Sequence, residues 1–274
     1  MNATDDHSQL NLRDVRRRFD RAASGFDAVD FVHSTTREGL LSRLAPMLID
    51  AKTIVDLGCA TGAGGRALSK RFRRAHIISV DLSQQMLRQA QHRRSLLGRR
   101  SVVQANAVAL PLAANSVDLV FANLLLPWIS DLTILFTEIG RVLRKDGLFI
   151  FSALGPDSLL ELRQAWRDVV AEPGAGRFLD MHDLGDAAVR SGLRDPVLDV
   201  DRTAISYASN ESLSRDLRAL GAPAALLAEL GKGRNARPQR FDLELVFGHC
   251  WGSGPISGAN EYRIDPAKIR RRPG

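Results

Sequence analysis

The chain has 274 residues, 45% of them apolar, which is enough to bury one large core and excludes a disordered or fibrous protein. Two cysteines, Cys59 and Cys250, exclude a disulfide framework, and the most apolar run, Leu119 to Ile129, is too short to span a bilayer. The formal net charge is +7, and only five of the 38 basic side chains are lysines. That excess favours an acidic partner, although a GC-rich genome produces the same arginine skew.

The opening Met-Asn-Ala-Thr-Asp-Asp-His is polar and acidic, unlike a secretory signal, so a soluble, cytoplasmic protein is expected with no membrane partner. From 8 to 48, Val15, Phe19, Ala22, Phe26, Val32, Leu40 and Leu44 recur at helical intervals and predict an N-terminal helical cap over residues 1–48. From 52 the pattern changes. Strands are predicted near 53–57, 76–80, 101–104, 117–122 and 147–153, with helices near 63–73, 83–96, 131–143 and 157–171. Ser83 is the expected N-cap of the second helix. Strict alternation of strand and helix means right-handed crossovers and a parallel sheet covered on both faces. Further on, a helix near 182–191, a strand at 197–206, two helical stretches around Gly221-Ala222-Pro223 and a final strand at 241–251 are expected. The main domain is therefore read as 49–251, with substrate-side insertions at about 155–240 and a flexible basic tail over 252–274.

The chemistry concentrates at strand ends. Thr53-Ile54-Val55-Asp56-Leu57-Gly58-Cys59-Ala60-Thr61-Gly62 is a short strand running into an acidic, glycine-rich turn. A dinucleotide pyrophosphate wants bare N–H groups and no fixed negative charge at this corner, whereas Asp56 suits a cofactor with a cationic end. S-adenosyl-L-methionine carries an ammonium and a sulfonium and no phosphate. Asp81, at the end of the second strand, suits a ribose hydroxyl pair, and Asn106 after the third suits an adenine edge. Cys59, Leu82, Met86 and Ala107 complete the expected donor site, while Asn123-Leu124-Leu125-Leu126-Pro127-Trp128 is expected to wall the pocket near the methyl group. Gly62-Ala63-Gly64-Gly65-Arg66-Ala67 matches the G-x-G-x-x-A nicotinamide fingerprint, but in the wrong register, because Asp56 and Gly58 occupy the corner where it should begin. No metal-ligand cluster stands out.

Over residues 12–251 the chain resembles the class I methyltransferases, a Rossmann-like α/β fold with a mostly parallel seven-stranded sheet. Within them it is more similar to the malonyl-[acyl-carrier protein] O-methyltransferases of biotin synthesis. Beyond the generic Asp-Leu-Gly-Cys-Ala-Thr-Gly, the likeness rests on Arg-Arg-Phe-Asp-Arg-Ala-Ala at 17–23, Ala-Asn-Leu-Leu-Leu-Pro-Trp at 122–128 and Gly-Pro-Asp-Ser-Leu-Leu-Glu-Leu-Arg at 155–163. Met-His-Asp-Leu-Gly-Asp at 181–186 and Phe-Gly-His-Cys-Trp at 247–251 add to it. Three positions depart from the pattern: Ala60 replaces the usual middle glycine, Asn106 stands where many methyltransferases have Asp, and Phe26, beside the donor pocket, replaces a common Tyr.

The resemblance implies an S-adenosylmethionine-dependent transferase that esterifies the free carboxylate of a malonyl thioester, with an acyl-carrier protein as partner. Such a carboxylate is ionised at neutral pH and needs no general base. Arg163, at the edge of the apolar stripe of its predicted helix, is the expected grip on that carboxylate, and His182 is a second candidate at the same mouth. Two alternatives are weighed. One is an assembly factor or protein-arginine hydroxylase, since the chain is also similar to the related mitochondrial complex I assembly factor. The other is a nucleic-acid or other small-molecule methyltransferase; here Asn123 is followed by three leucines rather than the Pro-Pro-aromatic step that stacks a flipped base.

Overall fold

The computed structural model describes residues 11–92, 99–160, 162, 178–220, 227–228 and 239–254. Helix α1 (Leu12–Ala22), a 3-10 turn (Phe26–Ala28) and α2 (Phe31–Leu44) lead into β1 (Thr53–Leu57), α3 (Ala63–Arg71), β2 (His76–Asp81), α4 (Gln84–His92) and β3 (Arg99–Gln104). Then come β4 (Val117–Asn123), a 3-10 turn (Leu126–Trp128), α5 (Leu132–Val142) and β5 (Leu143–Leu154). The remainder is α6 (Met181–Arg190), β6 (Arg194–Tyr207), α7 (Asn210–Ala219) and β7 (Gln239–Trp251). Helix starts follow the side chains that can cap them: Asn11 accepts from Arg13 N, Ser83 Oγ from Met86 N and Asp131 from Thr133 N and Ile134 N.

The seven strands form one sheet in the order β3-β2-β1-β4-β5-β7-β6. β1 to β5 run parallel, and β7 runs antiparallel to both β5 and β6. Alternation along β1 explains why the sheet is covered on both faces. Ile54 joins the core under α2 and α3 with Leu40, Leu44, Leu68 and Phe121, while Val55 and Leu57 join the opposite core with Leu135, Phe136 and Phe149. Asp56 therefore points to the α3 side. Chain order reverses between β1 and β4, and a cleft opens there at the carboxyl ends of the strands.

The N-terminal helices close this cleft from above, held by polar bonds as well as packing. Asp20 accepts from Ser83 Oγ (2.6 Å) and Gln85 N (3.2 Å), tying α1 to the start of α4. Thr61 Oγ1 donates to Asp27 at 2.5 Å, and Asn123 Nδ2 donates to His33 O at 2.9 Å. The helix expected over 157–171 lies largely outside the described residues. Its start differs from expectation: residues 156–159 form a turn, with Leu159 at φ +52°, because Ser158 Oγ and Leu159 N bond back to the β7 backbone at Glu244 O and Asp242 O. Asp20→Ala removes both ties of α1 and should loosen it by about 1–3 kcal/mol. The expected readout is faster tryptic cleavage within Arg16–Arg18; an unchanged cleavage rate would contradict this role.

Candidate functional site: a two-lobed cleft

The turn after β1 takes three left-handed residues, Gly58 (φ +69°), Ala60 (φ +45°) and Gly62 (φ +78°). Gly58 N and Cys59 N donate to Val80 O at 2.8 and 3.0 Å, which folds the turn over the end of β2. A Cβ on Gly58 would stand 3.0 Å from Leu125 Cδ1, so the bare backbone leaves the cleft open. Ala60, an L residue in a region that costs about 1–2 kcal/mol, is held there by its N–H, which donates to Asp81 at 2.9 Å. Asp81 also accepts from Ser83 N at 2.8 Å. Burial pushes its carboxyl up to about 6, against the pull of these N–H bonds.

Asp56 is 2% exposed and accepts from Gly65 N at 2.6 Å, inside the first turn of α3. A Cβ on Gly64 would meet Asp56 Oδ1 at 2.7 Å, and one on Gly65 would meet Oδ2 at 3.1 Å. The glycines that mimic a nicotinamide fingerprint therefore make room for a carboxylate. Burial pushes Asp56 up to about 6 as well, opposed by the Gly65 bond and the Arg100 charge.

The cleft has two lobes. The larger, with an empty volume of about 730 Å³, is lined by Asp81, Leu82, Asn106 and Ala107, and roofed by Val15 and Phe19 of α1. The smaller, about 350 Å³, is lined by Asp30, Arg37, Asp56, Cys59 and Gly64 among others. Phe26, His33, Gly58, Ala60 and Asn123 line both and so mark the junction.

Of the expected donor residues, Asp56, Gly58, Cys59, Ala60, Asp81, Leu82, Asn106, Ala107, Asn123 and Phe26 line one or both lobes. Two expected residues do not. Met86 is wholly buried against Ala22, Ala23 and Phe26, and Gly62 sits under α4, where a Cβ would be 2.9 Å from Ala90 Cβ. Met86 packs α4 against the cap, and Gly62 turns the chain into α3. His182 is also displaced: its side chain is 82% exposed, pairs with Asp180 at the start of α6 and lines neither lobe. Arg163 lies outside the described residues.

The sequence reading missed Asp30, His33 and Arg37. Arg37 donates to Asp30 (3.3 Å) and Ser34 Oγ (2.9 Å) with its side chain mostly buried. His33 is held on edge against Phe26, with ring centroids 4.9 Å apart, and burial followed by the Arg37 charge lowers its pKa to about 4. A polar pair four residues apart, on the same helix face as buried Thr36, was the available signal.

These residues fit S-adenosylmethionine. The smaller lobe sets Asp56 and Asp30 for an ammonium and Arg37 for a carboxylate, which together complement an α-amino-acid end. The larger lobe offers Asp81 to a hydroxyl pair and Leu82, Ala107 and Asn106 to a purine. The junction carries no charge beside a sulfonium. Since an ammonium and a ribose hydroxyl pair are held best by ionised carboxylates, donor affinity should be flat at high pH and fall as pH drops through about 6. Calorimetry from pH 8 to 5 checks this, and a flat profile would contradict it. A raised folded pKa means that ionised Asp56 destabilises the fold at neutral pH and does so less as pH falls from about 6 toward the ordinary 3.8. Asp56→Asn should therefore hold or raise Tm at pH 7 while weakening the donor about tenfold or more; a lower Tm with unchanged affinity would reverse the assignment.

A methyltransferase-domain family model matches residues 55–151. The chain is 40% identical over 259 residues to the malonyl-[acyl-carrier protein] O-methyltransferase of Methylovorus sp. strain MP688, covering 86% of this chain and 88% of the relative. It is 36% identical to the like-named protein of Halorhodospira halophila, covering 97% and 98%. Among solved structures, Haemonchus contortus phosphoethanolamine N-methyltransferase 2 in complex with S-adenosylmethionine superposes with a TM-score of 0.60 at 18% identity. That match covers 89% of this chain and 60% of the other, and it bears on the fold. With the strand order, the acidic turn and these relatives in agreement, the chain is an S-adenosylmethionine-dependent methyltransferase and belongs to the malonyl-[acyl-carrier protein] O-methyltransferase family.

Proposed function

We propose that this chain methylates the free carboxylate of a malonyl thioester carried on an acyl-carrier protein, in the cytoplasm and toward a biotin precursor. The observation that carries the reading is the junction between the lobes, lined by Phe26, neutral His33, Gly58, Ala60 and Asn123, where no carboxylate stands among the described residues and burial leaves the imidazole a weak base. Asn123 is itself committed, donating to His33 O and accepting from Ser152 Oγ at 2.9 Å. Such a junction suits an acceptor that arrives already ionised. Bound S-adenosylmethionine supplies an electrophilic methyl whose sulfonium leaves as a neutral thioether, so a carboxylate becomes a methyl ester with no proton to move.

The protein's part is alignment and exclusion of water. Phe19 stacks edge-on against Trp128 at 4.9 Å, joining α1 to the loop after β4 over the larger lobe. Arg163 remains the proposed charged grip on the acceptor. The exposed Arg13, Arg16, Arg17 and Arg21 of α1 stand on the far side of the helix whose Val15 and Phe19 roof that lobe. An acidic carrier protein docking there would present its thioester arm near the cleft mouth.

The test is incubation with methyl-labelled S-adenosylmethionine and malonyl-carrier protein. A base-labile methyl ester on the malonyl group is expected; donor binding without transfer would sink the reading and favour a non-methylating assembly role. Raising salt from about 50 to 500 mM, or reversing charge at Arg16 and Arg17, should raise KM several-fold with little change in kcat. Indifference to both would remove α1 as the docking helix.

A further inference from the structure

α2 carries His33 to the junction of the lobes and fixes it there from both sides. Its backbone carbonyl accepts from Asn123 Nδ2 (2.9 Å) and from Thr36 Oγ1 (3.2 Å), and its ring lies edge-on to Phe26. The imidazole itself is left over: Nδ1 is buried with no hydrogen-bond partner. A proton on Nδ1 would be a buried donor with nothing to bond, so the neutral ring carries its N–H on Nε2. A buried ring positioned this firmly in the lining of both lobes, with no ring hydrogen bond among the described residues, is available to a ligand.

Both ends of the donor are already served. Asp56 and Arg37 face its amino-acid end, Asp81 faces its ribose, and neither a sulfonium nor a thioether is an acceptor that calls for an N–H. We infer that His33 is an acceptor-binding residue, whose Nε2–H donates to the carboxylate oxygen that does not attack and so fixes the plane of the carboxylate at the junction. The inference rests on the carboxyl-methylation reading above. An oxygen has a second lone pair, so a second donor can act on the same carboxylate. A neutral donor suits this position better than a cation. It orients the nucleophile without withdrawing a full charge from it and without repelling the positive methyl donor, and burial together with Arg37 keeps the ring uncharged at neutral pH.

The test compares His33→Phe, which keeps an aromatic ring against Phe26, with His33→Gln, whose side-chain amide reaches about as far as Nε2. Affinity for malonyl-carrier protein is measured by calorimetry with S-adenosylhomocysteine at saturation, alongside kcat/KM for methyl transfer. His33→Phe should weaken acceptor binding and lower kcat/KM by about 10- to 100-fold, with affinity for S-adenosylhomocysteine within about twofold. His33→Gln should recover most of both. Wild-type acceptor affinity in His33→Phe would overturn the inference, as would a matching loss of S-adenosylhomocysteine affinity that Gln fails to restore, the mark of a packing role. If the wild-type protein neither binds nor methylates malonyl-carrier protein, it is the carboxyl-methylation reading that fails, and the variants cannot be confused with that outcome.

Discussion

The buried carboxylate of Asp56 under the first turn of α3 is the constraint on which the site is built. Strand alternation turns Asp56 toward the helix, and Gly64 and Gly65 have no side chains because that carboxylate occupies the space. The chain then has only Gly58 to Gly62 in which to leave β1 and enter α3, and it does so through three left-handed residues. One of them is an alanine, and Leu124, across the cleft at φ +55°, is another L residue held in that region. Strained residues and carboxyls with raised pKa values thus line the two lobes, as expected where a fold gives up stability to keep a binding surface in place.

The Rossmann-like sheet supplies only half of the cleft. Asp81, Leu82, Asn106 and Ala107 come from strand ends, but Arg37, His33 and Asp30 come from α2 and the residue before it. Polar ties bind the two halves, among them Asp20 to Ser83, Thr61 to Asp27 and Asn123 to the His33 carbonyl. The last is the most informative, because Asn123 also accepts from Ser152, whose hydroxyl receives Leu124 N. One chain of bonds therefore sets the end of β4, the strained Leu124 and the cap helix together. In the proposed reading the acceptor binds where sheet and cap meet, so substrate selection would depend on both.

Much of this was legible in the sequence. β1 was read at its observed bounds and the other strands within a few residues, because short continuous apolar runs bounded by turn signals mark strands buried on both faces. Asp56 and Asp81 were readable because a carboxylate at the end of an apolar strand has few structural uses. His33 and Arg37 were not, because periodicity flags apolar residues as inward and leaves polar ones to solvent; a helix lining a polar cleft inverts that rule. Met86 and Gly62 lie beside cleft residues along the chain, yet Met86 packs against the cap and Gly62 sits under α4, both outside the two lobes. His182 was read as lining the mouth, yet it lies at an exposed helix start, where Asp180 satisfies both its N–H and its ring.

The central claim is that the two lobes receive the two ends of S-adenosylmethionine, with the reactive centre at the junction marked by His33 and Asn123. A crystal structure of the complex with S-adenosylhomocysteine tests it most directly. The account predicts the amino-acid end in the smaller lobe, its carboxylate toward Arg37 and its ammonium toward Asp56, with the ribose hydroxyls on Asp81 and the sulfur beside Gly58. A ligand lying in the reverse sense, or confined to the larger lobe with Arg37 and Asp56 untouched, would contradict it.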